Sequence, residues 1–252
     1  RRYLGYSGHG RPDPGLRRRL APSDLTRRMH DAHRQYPTAE ALARAAADHL
    51  AARIRDCLER REVCRVALPG GNTPAQCLAL LAQAALPWDR VHWYLGDERC
   101  YPAGHEGRND VMLEAQLWSR IDAPAGNRHP IAAELGPEPA AARYSEAIRA
   151  AGRLDIVLLG MGEDGHTASL FPGNEALDDT RPAVPVHHAP KPPPERVSLG
   201  LTTLQSAAER ILLVAGRSKR DALQRIGAGE LLPAAMVGSS LWFTDIEAAG
   251  DP

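Results

Sequence analysis

The chain is poor in lysine: of its 31 basic residues, only Lys191 and Lys219 are lysines, and 29 are arginines. Usage this lopsided reads as a general coding bias. A lysine spared by it marks a position where a compact ammonium serves better than a planar fork, unless it survives by chance. Cysteine is scarce too. Cys57, Cys64, Cys77 and Cys100 form no C-x-x-C pair and show no zinc spacing, so they read as reduced, structural thiols of a cytoplasmic protein. No apolar run approaches the roughly 20 residues that a transmembrane helix requires. Net charge is also missing, with 31 acidic residues against the 31 basic ones. The chain as a whole therefore offers no electrostatic case for binding nucleic acid or a membrane.

What is present suits an ordinary globular core: 252 residues, 43% of them hydrophobic. Residues 1–37 stand apart, with nine arginines, three aspartates, scattered Gly and Pro, and no sustained periodicity. This segment reads as a mostly disordered, Arg-rich extension. Residues 38–252 read as a single α/β domain.

Within that domain Leu42, Ala46, Leu50, Ile54 and Leu58 recur every four residues, one apolar helix face with Thr38 as its N-cap. A short strand over 65–68 leads into Pro69-Gly70-Gly71-Asn72-Thr73-Pro74. Thr73 suits an N-cap there and Pro74 a first helical residue. Two glycines, an amide and a hydroxyl at a helix start make an anion cradle without the Lys-Ser/Thr of a nucleotide-triphosphate loop. Strand 91–95 ends in Gly96-Asp97-Glu98-Arg99, where the two acids suit a structural role. Helices are expected near 109–119 and over 140–151, the second stopping at Gly152. Residues 172–195 read as a proline-rich loop holding Lys191 and the pair His187-His188, for which no third metal ligand is placed. Strands over 196–201, 211–215 and 241–244 follow, with Gly216-Arg217-Ser218-Lys219 and a helix to Ile226 after the second.

The remaining stretch, Leu154–Gly173, organises the others. Ile156-Val157-Leu158-Leu159 reads as a buried parallel strand running into a turn with Gly160, Gly162 and Gly165, and then a helix start. His166 follows the turn, and histidine is the residue type here whose unperturbed pKa suits proton transfer near neutrality, so it is the candidate base. Asp164 either orients it or caps the turn. Gly160–Gly165 also matches G-x-G-x-x-G, but the acids about twenty residues on, Asp178 and Asp179, lie in the loop and not at a strand end. A dinucleotide is therefore disfavoured. Taken alone, a histidine that merely caps the next helix explains the turn equally well.

Strands alternating with helices predict an open, mostly parallel sheet with helices on both faces, a Rossmann-like three-layer fold. Four strand ends then deliver four motifs to one edge, three with cations or anion-seeking N–H groups and one with a base. That layout suits a phosphorylated small molecule. The motifs together, above all Gly160-Met161-Gly162-Glu163-Asp164-Gly165-His166-Thr167-Ala168-Ser169-Leu170-Phe171-Pro172-Gly173, resemble the 6-phosphogluconolactonases within the glucosamine-6-phosphate isomerase/deaminase-like group. The resemblance implies hydrolysis of 6-phosphoglucono-δ-lactone to 6-phosphogluconate in the oxidative pentose phosphate pathway, with no metal or cofactor. It makes His166 the base that activates water, and places Gly71, Asn72, Arg99, Arg196 and Lys219 at substrate or phosphate. Gly70, Thr73 and Lys191 join them from the cradle and lysine readings. Asn72 and Arg108 depart from the family pattern, which more often has hydroxyl residues there. The expected partner is a phosphosugar lactone, not nucleic acid or membrane, and the expected state is a monomer or homodimer. An aminosugar-phosphate deaminase, or a non-catalytic sugar-phosphate sensor using the basic arm, is the alternative. The arm lacks a recognition helix and interleaved aromatics.

Overall fold

In the computed structural model, which describes residues 33–250, Thr38 starts the first long helix. Its hydroxyl accepts the Ala41 N–H at 3.1 Å, a cap worth about 1 kcal/mol. This helix, α1 (Ala39–Arg60), buries Leu42, Ala46, Leu50, Ile54 and Leu58, the face the four-residue repeat predicts. It packs on α2 (Asn72–Leu81) and reaches across strands of the main sheet.

That sheet has seven strands: β1 (His33–Tyr36), β2 (Cys64–Leu68), β3 (Val91–Leu95), β5 (Arg128–His129), β6 (Ile156–Gly160), β9 (Glu209–Val214) and β10 (Leu241–Asp245). They lie in the order β1-β10-β9-β6-β2-β3-β5, and every pairing is parallel. The central strands are continuous apolar runs because both their faces are covered. Ile156 to Leu159 are all buried. From β2 the chain moves outward to β3 and β5, then returns to the other side of β2 to lay down β6, β9 and β10. Right-handed crossovers, the rule for parallel strands, put the connections of the outward run and of the returning run on opposite faces, and α2 packs against α1 and the helix Asn109–Gln116. The reversal falls between β2 and β6, where open α/β sheets form a ligand crevice.

Four expectations change. The domain begins before residue 38: β1 pairs with β10, Tyr36 stacks on Phe243 at 5.7 Å, and Arg34 lies 5.6 Å from the same ring. His-Arg-Gln-Tyr has no apolar alternation because it forms a sheet edge, so periodicity misses it. The rest of the predicted disordered extension, residues 1–32, lies outside the described residues.

The proline-rich loop contains a strand, β7 (Ala183–Val186), in a second, antiparallel sheet of order β4-β8-β7 with β4 (Asp97–Arg99) and β8 (Arg196–Leu199). Pro185 is tolerated because β7 is an edge strand of that sheet. Helix α4 (Pro137–Ala151) packs on β7 and β8, with Ser145 Oγ donating to Ala183 O at 2.9 Å.

Thr73 is not an N-cap. Helix α2 begins at Asn72, and Gly71, with φ +100°, holds the cap position. Finally, no helix follows the Gly160–Gly165 turn. Residues 161–170 form successive tight turns closed by a Thr167–Leu170 bridge, so His166 does not sit at a helix N-terminus and cannot be a helix cap.

Candidate active site

The C-terminal ends of β9, β6, β2 and β3, four neighbours in the sheet, converge on a cleft enclosing about 490 Å³. From β2 come Gly70, Gly71, Asn72 and Thr73. Ala75 N–H makes the first helical bond, to Gly71 O at 3.0 Å, and Pro74 has no N–H. The amides of Asn72 and Thr73 are thus left at the positive end of α2 for a ligand. Gly70 has no room for a side chain, since a Cβ there would lie 1.9 Å from Asn109 Oδ1.

From β3 and β4 come Asp97, Glu98 and Arg99. Glu98 is fully buried and accepts the N–H groups of Arg99, Asn109 and Asp110 at 2.8, 2.7 and 2.9 Å. Its carboxylate thereby caps α3 (Asn109–Gln116), a task Arg108 at the N-cap does not perform. Burial pushes the Glu98 carboxyl up to about 7. Arg108 is buried and bonded to Asp110, Glu134 and the carbonyls of Tyr101 and Ile131, a structural post that explains its departure from the family pattern. Asn109 lines the cleft, its amide donating to Asp97 O at 2.8 Å and Asp97 Oδ1 at 3.2 Å. It does not stand out in the sequence because its only signal is a place at a helix start. Arg99 donates to Gly107 O at 2.6 Å, and its buried Nε has no hydrogen-bond partner among the described residues. An orphaned buried donor on a residue that lines a cleft is a feature that a bound acceptor can answer.

From β6 comes the histidine. Gly162 N–H donates to His166 O at 2.8 Å, and Thr167 Oγ1 donates to Gly160 O at 2.8 Å. Asp164 Oδ1 meets both the His166 backbone N–H, at 3.1 Å, and Nδ1, at 2.5 Å. The two readings of Asp164 are therefore both realised: it shapes the turn and holds the ring. Burial opposes ionisation of Asp164, but the hydrogen bond and charge of His166 hold its carboxyl down at about 2. An ionised Asp164 fixes the proton on Nδ1 and leaves Nε2 as the basic nitrogen. Phe171 packs on the ring with centroids 4.4 Å apart.

Three further cations line the cleft. Arg196, paired with Arg99 across β4 and β8, is buried and donates to the carbonyls of Lys191, Pro192 and Pro193. Most of its fork is thus committed to the proline segment, although its charge faces the cleft. Lys219, after β9, is half-buried, and its ammonium makes no hydrogen bond among the described residues. Burial lowers its pKa while the Glu163 charge opposes the shift. Lys191 pairs at the rim with Glu163. Both lysines of the chain therefore reach one cleft. Of the residues expected at catalysis or substrate binding, all but Asp164 line it, and Asp164 stands directly behind His166. His187 does not join them; it pairs with Glu195 at 2.6 Å.

The fold and the cleft define an open α/β-sheet protein with a cation-lined crevice beside a His–Asp pair. Residues 37–243 match the family model for glucosamine-6-phosphate isomerases/6-phosphogluconolactonase, and the chain belongs to that family. It is 36% identical over 226 residues to a 6-phosphogluconolactonase of Mycobacterium leprae, covering 81% of this chain and 92% of that one. The crystal structure of a 6-phosphogluconolactonase from Thermotoga maritima superposes with a TM-score of 0.80 at 28% identity, covering 85% of this chain and 99% of that one. A monomeric glucosamine-6-phosphate deaminase, 21% identical with a TM-score of 0.75, shares the fold across 86% of this chain and 98% of its own.

Proposed function

We propose that the protein hydrolyses 6-phosphoglucono-δ-lactone to 6-phosphogluconate, as its lactonase relatives are named for doing, with His166 as general base. The observation that carries the mechanism is the Asp164–His166 pair, with His166 lining a cleft that also holds Arg99, Arg196, Lys191 and Lys219. His166 Nε2 takes a proton from water as its oxygen attacks the lactone carbonyl carbon, and the carbonyl π electrons move to oxygen. When the tetrahedral intermediate collapses, the ring C–O bond breaks. The departing alkoxide takes the proton back from His166, leaving a carboxylic acid that ionises. Ionised Asp164 stabilises the imidazolium between the two steps.

The developing oxyanion needs donors. Gly162 and Gly165 spend their N–H groups closing the turn, which leaves the amides of Asn72 and Thr73 and the Arg99 Nε. Lys219, Lys191 and the Arg196 charge suit the phosphate dianion. A δ-lactone is an activated ester, so a positioned base and an oriented substrate suffice, and no metal or cofactor is invoked. No helix among the described residues is long and apolar enough to cross a membrane.

The deaminase reading gains no support from the site. After His166 this chain has no acid until Glu175, and Phe171, whose ring packs on His166, cannot relay a proton. The test is a coupled assay on freshly generated lactone, with spontaneous hydrolysis subtracted. His166→Asn should lose about 100- to 10,000-fold in rate with product affinity kept within about threefold. Stoichiometric ammonia from glucosamine 6-phosphate would overturn the assignment.

A further inference from the structure

The geometry points to a second site, unrelated to the cleft: a buried centre for one soft divalent cation of the zinc or cadmium type, held by the thiols of Cys57 and Cys64 and the carboxylate of Asp155. The ligand atoms of these three residues all lie within 4.8 Å of one another, and they are the one such group among the described residues. Bonds of about 2.0 to 2.3 Å in a tetrahedral shell put ligand atoms about 3.3 to 3.8 Å apart. Closing the group around an ion therefore asks for shifts of about 1 Å or less.

The donors come from three elements that the fold has already fixed. Cys57 lies in the last turn of α1, and its carbonyl accepts the Arg61 N–H that ends the helix, at 2.9 Å. Cys64 opens β2, and Asp155 immediately precedes β6. Asp155 is tied to the residue after Cys64 by two bonds, its N–H to Arg65 O and Arg65 N–H to its Oδ2, both 2.9 Å. This is the N-terminal edge of the sheet. The cleft lies at the other end of the same two strands, roughly 15 Å away for five residues of strand.

Chemistry and charge agree with a cation. Two thiols with one carboxylate select a thiophilic ion over magnesium or calcium. All three residues are buried, Cys64 completely. On binding, both thiol protons leave to solvent, two metal–sulfur bonds and one metal–oxygen bond form, and water completes the shell. The three negative charges are then balanced by the two of the ion and the one of Arg61. The Arg61 guanidinium lies 3.1 Å from Asp155 Oδ1, and its half-exposed side chain marks the entry path. Binding would stitch the end of α1 to the starts of β2 and β6, adding stability without touching the cleft.

The test titrates the reduced full chain with cadmium chloride, and then with zinc chloride. The expected result is an ultraviolet thiolate-to-cadmium absorption band saturating at one ion per chain, together with two thiols lost to a thiol-modifying reagent and a raised melting temperature. Cys57→Ser and Cys64→Ser should each abolish the band, while Cys77→Ser and Cys100→Ser keep it and magnesium does not compete. Lactone hydrolysis should be unchanged by Cys57→Ser. If Cys64→Ser fails to fold, Cys57→Ser at the less enclosed position carries the test, its unliganded melt showing that the fold is intact. Absence of a stoichiometric band overturns the site, as does a band that survives Cys57→Ser. A mild oxidant joining Cys57 to Cys64 in a chain that takes up no cadmium would also overturn it, making the pair a disulfide couple instead.

Discussion

Gly162 and His166 share one small volume: a Cβ on Gly162 would lie 2.0 Å from His166 Nδ1, while the Gly162 N–H donates to the His166 carbonyl at 2.8 Å. The missing side chain is what lets the imidazole reach Asp164. Gly162→Ala should therefore push the ring off its partner and cost about 100-fold or more in kcat, nearly as much as losing the base itself. The residue lies in a turn outside the regular sheet, so the melting temperature should fall by only a few degrees, roughly 1 kcal/mol. Turnover rates and thermal melts of the same preparation check this. Near-normal turnover would mean that the observed ring position is not the reactive one.

Asp164 is argued to act through His166, so its removal should show in kcat and not in KM. Asp164→Asn keeps the shape of the turn but offers Nδ1 an ambiguous partner. A drop of about 100-fold or more in kcat is expected, with KM within about threefold. The Asp164 carboxyl is held at about 2, below its ordinary 3.8. It therefore contributes stability that is complete above pH 3.8 and lost as pH falls through 2. Acid unfolding of Asp164→Asn should lack that component.

Most of this site was legible in the sequence because its parts are local. A strand, a glycine turn and the following side chains are contiguous, so Gly160–His166 or Gly70–Thr73 can be read without knowing what they pack against. What remained hidden depends on distant partners. β1 is a strand only because β10 offers it an edge, and β7 only because β8 pairs with it around Pro185. The missing helix after Gly165 has the same origin: Gly165 O accepts Ala234 N–H at 3.0 Å, so that segment's backbone is spent on a contact nearly seventy residues away. Asn109 becomes a cleft residue because buried Glu98 and Asp97 hold it there, and composition gives no hint of that pairing.

Glu98 should leave a mark on the pH dependence of stability. Its carboxyl is raised from 4.5 to about 7 by burial, so between those values the folded state binds more protons than the unfolded state. Stability from this group is then highest below pH 4.5 and declines as pH rises to 7, by about 3 kcal/mol at most. His92 and His129, lowered by burial, work in the opposite direction up to their ordinary 6.5, so the informative quantity is a difference. Denaturant melts from pH 4.5 to 8 should show Glu98→Gln gaining on the parent as pH rises. A constant difference across that range would mean that Glu98 is ionised throughout.

Lys219 tests whether the spared lysines serve the phosphate. Its ammonium is half-buried and forms no hydrogen bond among the described residues, and its nearest carboxylate influence is Glu163, which is already paired with Lys191. A phosphate dianion in the cleft would gain a charge-assisted bond worth about 1.5 to 3 kcal/mol. Lys219→Ala should therefore raise KM for the phosphorylated lactone about 10- to 100-fold while moving KM for unphosphorylated gluconolactone less than about threefold. Lys219 also stands at the start of the helix Arg220–Gly227, and damage there would penalise both substrates alike. Glu163→Gln separates the two causes further. It removes a negative charge near both lysines and frees Lys191, so KM for the phosphorylated lactone should stay level or fall. If Glu163→Gln instead raised KM as much as Lys219→Ala does, the carboxylate would be holding the lysines in place, and the rim pair would be part of the phosphate site.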